Sequence, residues 1–275
     1  MKKIAIIIGI LVLAATTFAV AKDTVEGNKK VVKEERTVKD FTKVSVSDGI
    51  DLYLTQGNEE KLVLEVDENL LKYIKTEVKG NTLKIYSDKN IKKPESLKAY
   101  LTFKSLDRIK GSSGADIYAE DGIEADEMDI DMSSGSDMKI KLKANKASFD
   151  MSSGSDAIVK FDGKVLDIDA SSGSDLDIKA DKLDEISLDM SSGSDINLEG
   201  TATKMKLRAS SGSDLNAFGF VTVNADIDVS SASDVKLTVT GNLEVDASSA
   251  STVRYKGKAK ITDINASSLA TVKAD

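Results

Sequence analysis

The sequence predicts an all-β protein, a single-stranded parallel β-helix (β-solenoid) of about nine coils with ~19–20 residues per coil. Three observations predict it. A Ser-Ser-Gly-Ser-Asp pentapeptide recurs at near-constant pitch, apolar and polar residues alternate with period two on both sides of it, and proline is almost absent, Pro94 being the single one. The pentapeptide reads SSGAD at 112–116 and SSGSD at 133–137, 152–156, 171–175, 191–195 and 210–214. It then decays to SSASD at 230–234, SSAST at 248–252 and SSLAT at 267–271. Successive copies start 21, 19, 19, 20, 19, 20, 18 and 19 residues apart.

Each unit reads as strand, corner, strand. Leu166-Asp167-Ile168-Asp169-Ala170 leads into one corner and Leu176-Asp177-Ile178-Lys179-Ala180 leads out of it. Such alternation gives a strand one buried and one wetted face. No interval has room for a crossover helix and two strands, so the units must stack on copies of themselves. At about 4.8 Å per stacked strand, nine coils make a rod about 40 Å long. A right-handed coil is expected, since parallel crossovers overwhelmingly take that hand. Carrying the alternation straight through a corner puts Ser134 and Ser136 on the Met132 face and Asp137 toward solvent.

The remaining segments divide as follows. Lys2 and Lys3, the apolar run Ile4–Val20 and the small-x-small Ala19-Val20-Ala21 form a secretory signal peptide over 1–21, cleaved after Ala21. The apolar run is short for a retained span, which needs about 20 residues. Residues 22–36 are Lys- and Glu-rich and read as a flexible leader. Residues 37–110 read as irregular capping coils and 111–275 as regular ones, all within one solenoid over 37–275. Val44 to Leu52 already follows the pattern of a strand into a glycine corner and out again. Asn69 to Ile74 fits a short helical turn or a bent coil.

Composition narrows function. Without Lys2 and Lys3 the chain holds 36 basic and 46 acidic residues, a net charge of −10. Nucleic acid and anionic membranes are therefore poor partners. There is no cysteine for a disulfide or lipid anchor, and no histidine for a general base or zinc ligand. Only cations with oxygen ligands, calcium foremost, remain plausible.

The opening Arg36-x-Val38-x-x-Phe41-x-x-Val44-x-Val46, followed by Gly49-Ile50-Asp51-Leu52-Tyr53-Leu54-x-Gln56-Gly57, resembles the putative auto-transporter adhesin, head GIN domain family. Leu70-Leu71-x-x-Ile74, Leu83-x-Ile85 and Leu106-x-x-Ile109-x-x-Ser112-x-Gly114 continue the match. The resemblance implies an exported bacterial protein with a parallel β-helix fold and an adhesin-like role. One departure stands out: the coils leave no room for a membrane-translocating barrel, so self-export is not expected.

One row of residues invites a chemical reading. Asp116, Asp137, Asp156, Asp175, Asp195, Asp214 and Asp234 share one position in successive coils. If the coils stack in register, neighbouring charges repel by about 1 kcal/mol in water and about 3–4 kcal/mol at an effective dielectric of 20. The preferred reading is architectural, each Asp accepting hydrogen bonds from corner serines and backbone N–H groups. The alternative is a calcium ladder on Asp137, Asp156, Asp175, Asp195, Asp214 and Asp234. Calcium-binding nonapeptide repeats, however, place two sites per coil and paired glycines where this chain has one Gly-Ser-Asp. Lys139, Lys141 and Lys143 read as a solvated face, and so do Asp167, Asp169 and Asp177.

Function is therefore expected to be non-catalytic: an adhesin-like or scaffold protein of the cell envelope that contacts glycan, matrix or another envelope protein. It carries no transmembrane span once the leader is removed, and a homo-oligomer is an open possibility. The alternative is a calcium-assisted polysaccharide-processing β-helix enzyme using an Asp pair. Against it stand the absence of tryptophan, a 5% aromatic content and coils too uniform to carry loops.

Overall fold

The computed structural model describes residues 22–275; the signal peptide expected over 1–21 lies outside the described residues. Among the described residues the one helical element is a 3₁₀ turn, Glu68–Tyr73, and nearly everything else is strand. The strands Asp116–Met132, Asp137–Met151, Asp156–Ala170, Asp175–Met190, Asp195–Ala209 and Asp214–Val229 each pair in parallel with the next. Corner aspartate lies opposite corner aspartate throughout. This is the expected β-solenoid of about nine turns.

Side-chain alternation divides each coil into two limbs. On the limb leaving the corner, Met138, Ile140, Leu142 and Ala144 are buried; on the limb returning to the next, Ala147, Phe149 and Met151 are. The phase slips between them, where Asn145 and Lys146 are both exposed. That slip marks a second bend, and register shifts cluster there, between Ala119 and Ile123, Phe161 and Val165, and Ala180 and Leu183. Backbones approach closely at this bend. A Cβ on Gly163 would lie 2.1 Å from the Ala144 carbonyl oxygen, and one on Gly200 would lie 1.8 Å from that of Ala180. The inward residues of all coils, from Val38 to Val253, form one continuous hydrophobic core.

The Ser-Ser-Gly-Ser corner is a tight turn with two successive left-handed residues, φ 57° at Ser134 and 65° at Gly135. Two positive φ angles in sequence are the signature of a type I′ turn. The corner continues the hydrogen-bond ladder. The Gly135 N–H donates to the Ser153 carbonyl at 3.1 Å, Gly154 to Ser172 at 3.1 Å and Gly173 to Ser192 at 3.1 Å. Ser136 is fully buried and Asp137 exposed, as alternation predicts, but Ser134, expected inside, points to solvent because the turn reverses the chain beneath it.

The buried serine has a specific task. The Ser133 N–H donates to Ser136 Oγ at 3.1 Å, closing the corner. In the next coil Ser155 Oγ donates to the Met132 carbonyl at 3.2 Å, and Ser174 does the same to Met151 at 3.3 Å. These serines tie corner to corner through the interior, where an unpaired hydroxyl costs about 1–3 kcal/mol; among the described residues Ser194 Oγ is the buried corner hydroxyl left without a partner.

The first third of the chain departs from the coil plan. Lys43–Val46 stacks in parallel between Thr82–Ser87 and Arg108–Gly111, and Asp51–Gln56 runs parallel to Leu97–Phe103. Between them Asp48 and Gly49, with φ 64° and 72°, reproduce the corner, and the Gly49 N–H donates to the Ser113 carbonyl at 3.0 Å. Lys61–Asp67 then pairs antiparallel with Leu97–Phe103, and Ile74–Lys79 pairs antiparallel with Thr82–Ser87. Of the segment 69–74, Asn69 to Tyr73 lie in the 3₁₀ turn, a short helical turn rather than a bent coil, and Ile74 opens the next strand.

Residues 22–36 are not the flexible leader expected from their composition. Thr24–Glu26 pairs with Asn90–Lys92, and Val31–Arg36 runs antiparallel along Lys61–Asp67. The Arg36 guanidinium fixes this strand by donating to the carbonyls of Ile74 at 2.6 Å and Leu71 at 3.0 Å. The buried Asp67 carboxylate accepts the N–H groups of Lys29, Glu95 and Ser96 at 2.8, 2.9 and 3.2 Å. Burial alone would raise its pKa; the three N–H donors hold it below the ordinary value.

Corner strain is unevenly shared. Ala232, Ala250 and Leu269 occupy the glycine position of the last three corners with φ 63°, 61° and 68°. A left-handed residue with a Cβ costs about 1–2 kcal/mol. Around Gly173 nothing lies within 4 Å of an added Cβ, so only its φ of 70° is penalised. Gly173→Ala should therefore lower folding stability by about 1–2 kcal/mol and the thermal midpoint with it, and Ala232→Gly should raise both by similar amounts. Equal midpoints for all three proteins in a thermal melt would refute the corner geometry.

Candidate functional site

In-register stacking converts each sequence position into a column along the rod. The corner column runs Asp51, Asp116, Asp137, Asp156, Asp175, Asp195, Asp214, Asp234, Thr252, Thr271. Asp51 is its unanticipated first member, placed by the corner at Asp48-Gly49. The clue in the sequence was Gly49-Ile50-Asp51-Leu52, which mirrors Gly-Ser-Asp-apolar. Beyond Asp51 the column meets Lys98, its partner on Leu97–Phe103.

The carboxylates of this column are not bonded as expected. The serine at the fourth corner position turns inward to backbone groups, and no corner serine hydroxyl among the described residues donates to Asp137, Asp156, Asp175 or Asp195. Among the described residues no three or more acidic, histidine or cysteine side chains converge as a metal-holding group. The carboxylates of Asp137, Asp156, Asp175 and Asp195 are instead pushed above the ordinary range, first by partial burial and then by the like charge of a neighbouring corner aspartate. Asp51 is raised for the same two reasons, against the opposing pull of Lys98.

Two residues further on, the next column reads Tyr100, Tyr53, Tyr118, Lys139, Ile158, Asp177, Asn197, Asn216, Lys236. Its three tyrosines are stacked, with ring centroids 5.0 Å apart at both steps and interplanar angles of 20° and 21°. Lys33 lies 5.9 Å from the Tyr100 ring centre and Lys98 5.8 Å from that of Tyr53. The Tyr118 hydroxyl donates to Asp116 at 3.3 Å, and its pKa is pushed up to about 12 by burial and by that carboxylate. Sequence reasoning missed this ladder because aromatics are scarce and these three lie far apart. Its signal was positional: Tyr53 and Tyr118 each stand two residues after a corner Asp.

The returning limb carries a second acidic column, Asp131, Asp150, Asp169 and Asp189, followed by Arg208, Asp228 and Asp246. Arg108 grips Asp131 at 2.5 Å, and Lys146 pairs with Asp167 at 2.9 Å. On the outgoing limb Lys139 pairs with Glu120 at 2.6 Å and Lys143 with Glu124 at 3.1 Å. All four of these lysine and glutamate side chains are exposed, so each pair adds little to stability.

Comparison with known proteins fits this architecture. The sequence model of the family described as "Putative auto-transporter adhesin, head GIN domain" matches residues 40–178 and again 158–259. Among solved structures, a putative adhesin from Parabacteroides merdae ATCC 43184 is similar with a TM-score of 0.70 at 21% identity, over 92% of this chain and 99% of that chain. A putative adhesin from Parabacteroides distasonis ATCC 8503 gives 0.69 at 20% identity, over 92% and 100%. A structure titled putative lipid binding protein, from the same organism, gives 0.65 at 19% identity, over 91% and 100%. At such identities the likeness speaks for the fold. No curated protein matches.

The corner carboxylates make stability depend on pH in a defined sense. Their raised folded values mean that the folded chain holds these protons more tightly than the unfolded chain. The resulting stabilisation is complete below the unfolded pKa of about 4 and is lost as pH rises through the folded values. Asp175→Asn with Asp195→Asn should thus raise the thermal midpoint at neutral pH and shrink to no difference near pH 3. A difference that grows on acidification would contradict the column. Millimolar calcium should leave the midpoint unchanged, whereas a gain erased by Asp175→Ala with Asp195→Ala would restore the cation ladder.

Proposed function

This chain belongs to the family described as putative auto-transporter adhesin, head GIN domain, and from that premise we propose that it is a non-catalytic binding module of the bacterial cell envelope, exported and adhesin-like. The observation that carries this reading is the ruled outer surface. Outward side chains repeat at strand spacing over a filled core, which suits an extended partner lying along several coils. Export is supported by the leader read over 1–21 and by the family. Among the described residues no helix is long and apolar enough to cross a membrane.

The enzyme alternative has less support. A pair of carboxylates works as acid and base when their surroundings push their pKa values apart. In the corner column the surroundings are alike from coil to coil, and every resolved shift from Asp137 to Asp195 has the same direction and the same leading cause.

The test is direct. The mature chain is applied to a glycan array, to matrix proteins, to whole cells and to phospholipid vesicles, the last because one structural neighbour is titled a lipid binding protein. Saturable binding on at least one of these surfaces, without turnover, is expected. Turnover of a uronate or neutral glycan that Asp175→Asn abolishes would displace the binding reading in favour of catalysis.

A further inference from the structure

Resting on that reading, we propose that the outgoing limb carries a binding groove for a linear acidic glycan, laid parallel to the rod axis over Lys141, Lys160 and Lys179. The register stacks these three lysines on consecutive coils. Glu120 and Glu199 stand at the two ends, Glu199 meeting Lys179 at 3.5 Å and Glu120 taken up by Lys139. Lys141 and Lys160 join no ion pair among the described residues, although the chain as a whole has a net charge of −8.

Like charges one strand apart repel, and more strongly where solvent is displaced. Elsewhere on the rod acids on a neighbouring coil relieve such repulsion, as the partners of Lys139, Lys143 and Lys146 demonstrate. Glu120 stands beside Lys141 and Asp177 lines the same groove, yet among the described residues neither Lys141 nor Lys160 has an acid within ion-pair distance. Their charge is available to an anion from outside.

The surroundings favour a sugar over a bare anion. The lysines border a groove of about 750 Å³ floored by Ile158, whose side chain is 54% exposed in a column otherwise polar from Lys139 to Asn216. An exposed aliphatic surface between cations suits the C–H face of a pyranose ring. Further along the groove, Asn197 Nδ2 donates to Asp177 Oδ1 at 2.9 Å and Asn216 Nδ2 to Asn197 Oδ1 at 3.3 Å. Each amide keeps a second N–H, and Asn216 keeps its carbonyl oxygen, for sugar hydroxyls.

The coil spacing of about 4.8 Å is close to the advance of one sugar unit in an extended chain. A polyuronate can therefore present carboxylates in step with the lysines. The corner aspartates Asp137, Asp156 and Asp175, beyond the intervening Lys139, Ile158 and Asp177 column, set a negative edge that disfavours sliding of such a chain toward the corner.

The experiment is calorimetric titration of the chain with polygalacturonate, monomeric galacturonate, a neutral glucan and duplex DNA, at low and high salt. The expected result is saturable binding of polygalacturonate that weakens as salt rises, with no heat from the other three. Lys141→Gln with Lys160→Gln should weaken binding about tenfold, the effect of two exposed charge contacts. Ile158→Asn should also weaken it, whereas Lys39→Gln with Lys110→Gln, outside the groove, should not. All variants should melt with the wild-type midpoint.

Equal binding by the Lys141/Lys160 variant, equal heats from DNA or the monomer, or no heat with polygalacturonate would each overturn the groove. Binding of other glycans or cells would meanwhile keep the binding-module reading intact. Only failure on every surface removes that as well.

Discussion

Every coil leaves its backbone N–H and C=O groups pointing along the rod, and only another coil in register can satisfy them. That requirement governs the structure. It extends through the corners, where Gly135, Gly154 and Gly173 donate to the second serine of the following coil, so no break in pairing occurs at the turn. Once register is fixed, side chains have no freedom to choose neighbours. Apolar residues meet apolar residues in the core, and outside, each position of the repeat becomes a line of like or unlike groups.

The outer lines follow three patterns. Unlike charges in step give surface ion pairs, as in Lys139 on Glu120, which add little to stability. Tyrosines in step give a stack, with face contacts that favour the arrangement by more than their buried area. Aspartates in step give repulsion, which the rod meets by ending the row on Lys98 at one side and on Thr252 at the other. Small differences in side chain therefore make chemically distinct stripes on one scaffold.

The sequence announced the part of the fold that obeys its own period. The pentapeptides and the alternation around Met138 or Leu176 identified strands, corner and stacking, because each residue has a single role repeated many times. Where roles diverge, the signal fades. Val31–Arg36 reads as a polar leader because Lys33, Glu34, Glu35 and Arg36 are what an edge strand displays to avoid uncontrolled pairing. Its place is set by Lys61–Asp67, a contact between distant segments that no local pattern encodes. The corner aspartates were legible as a row but not their surroundings, since the directions of Ser134 and Ser136 depend on the left-handed pair Ser134 and Gly135. The tyrosine and lysine columns needed the register itself, since their members lie a coil or more apart.

The slip in phase at the second bend has a different kind of consequence. Coil lengths vary from 18 to 21 residues, yet the corner aspartates never leave their line, because most of the surplus or deficit is absorbed toward the opposite edge, between Ala119 and Ile123, Phe161 and Val165, and Ala180 and Leu183, with a further slip between Asn197 and Glu199. One edge of the rod thus acts as a datum and the other as an expansion joint. Descendants of such a chain can gain or lose residues along the joint while the spacing of groups along the datum stays constant.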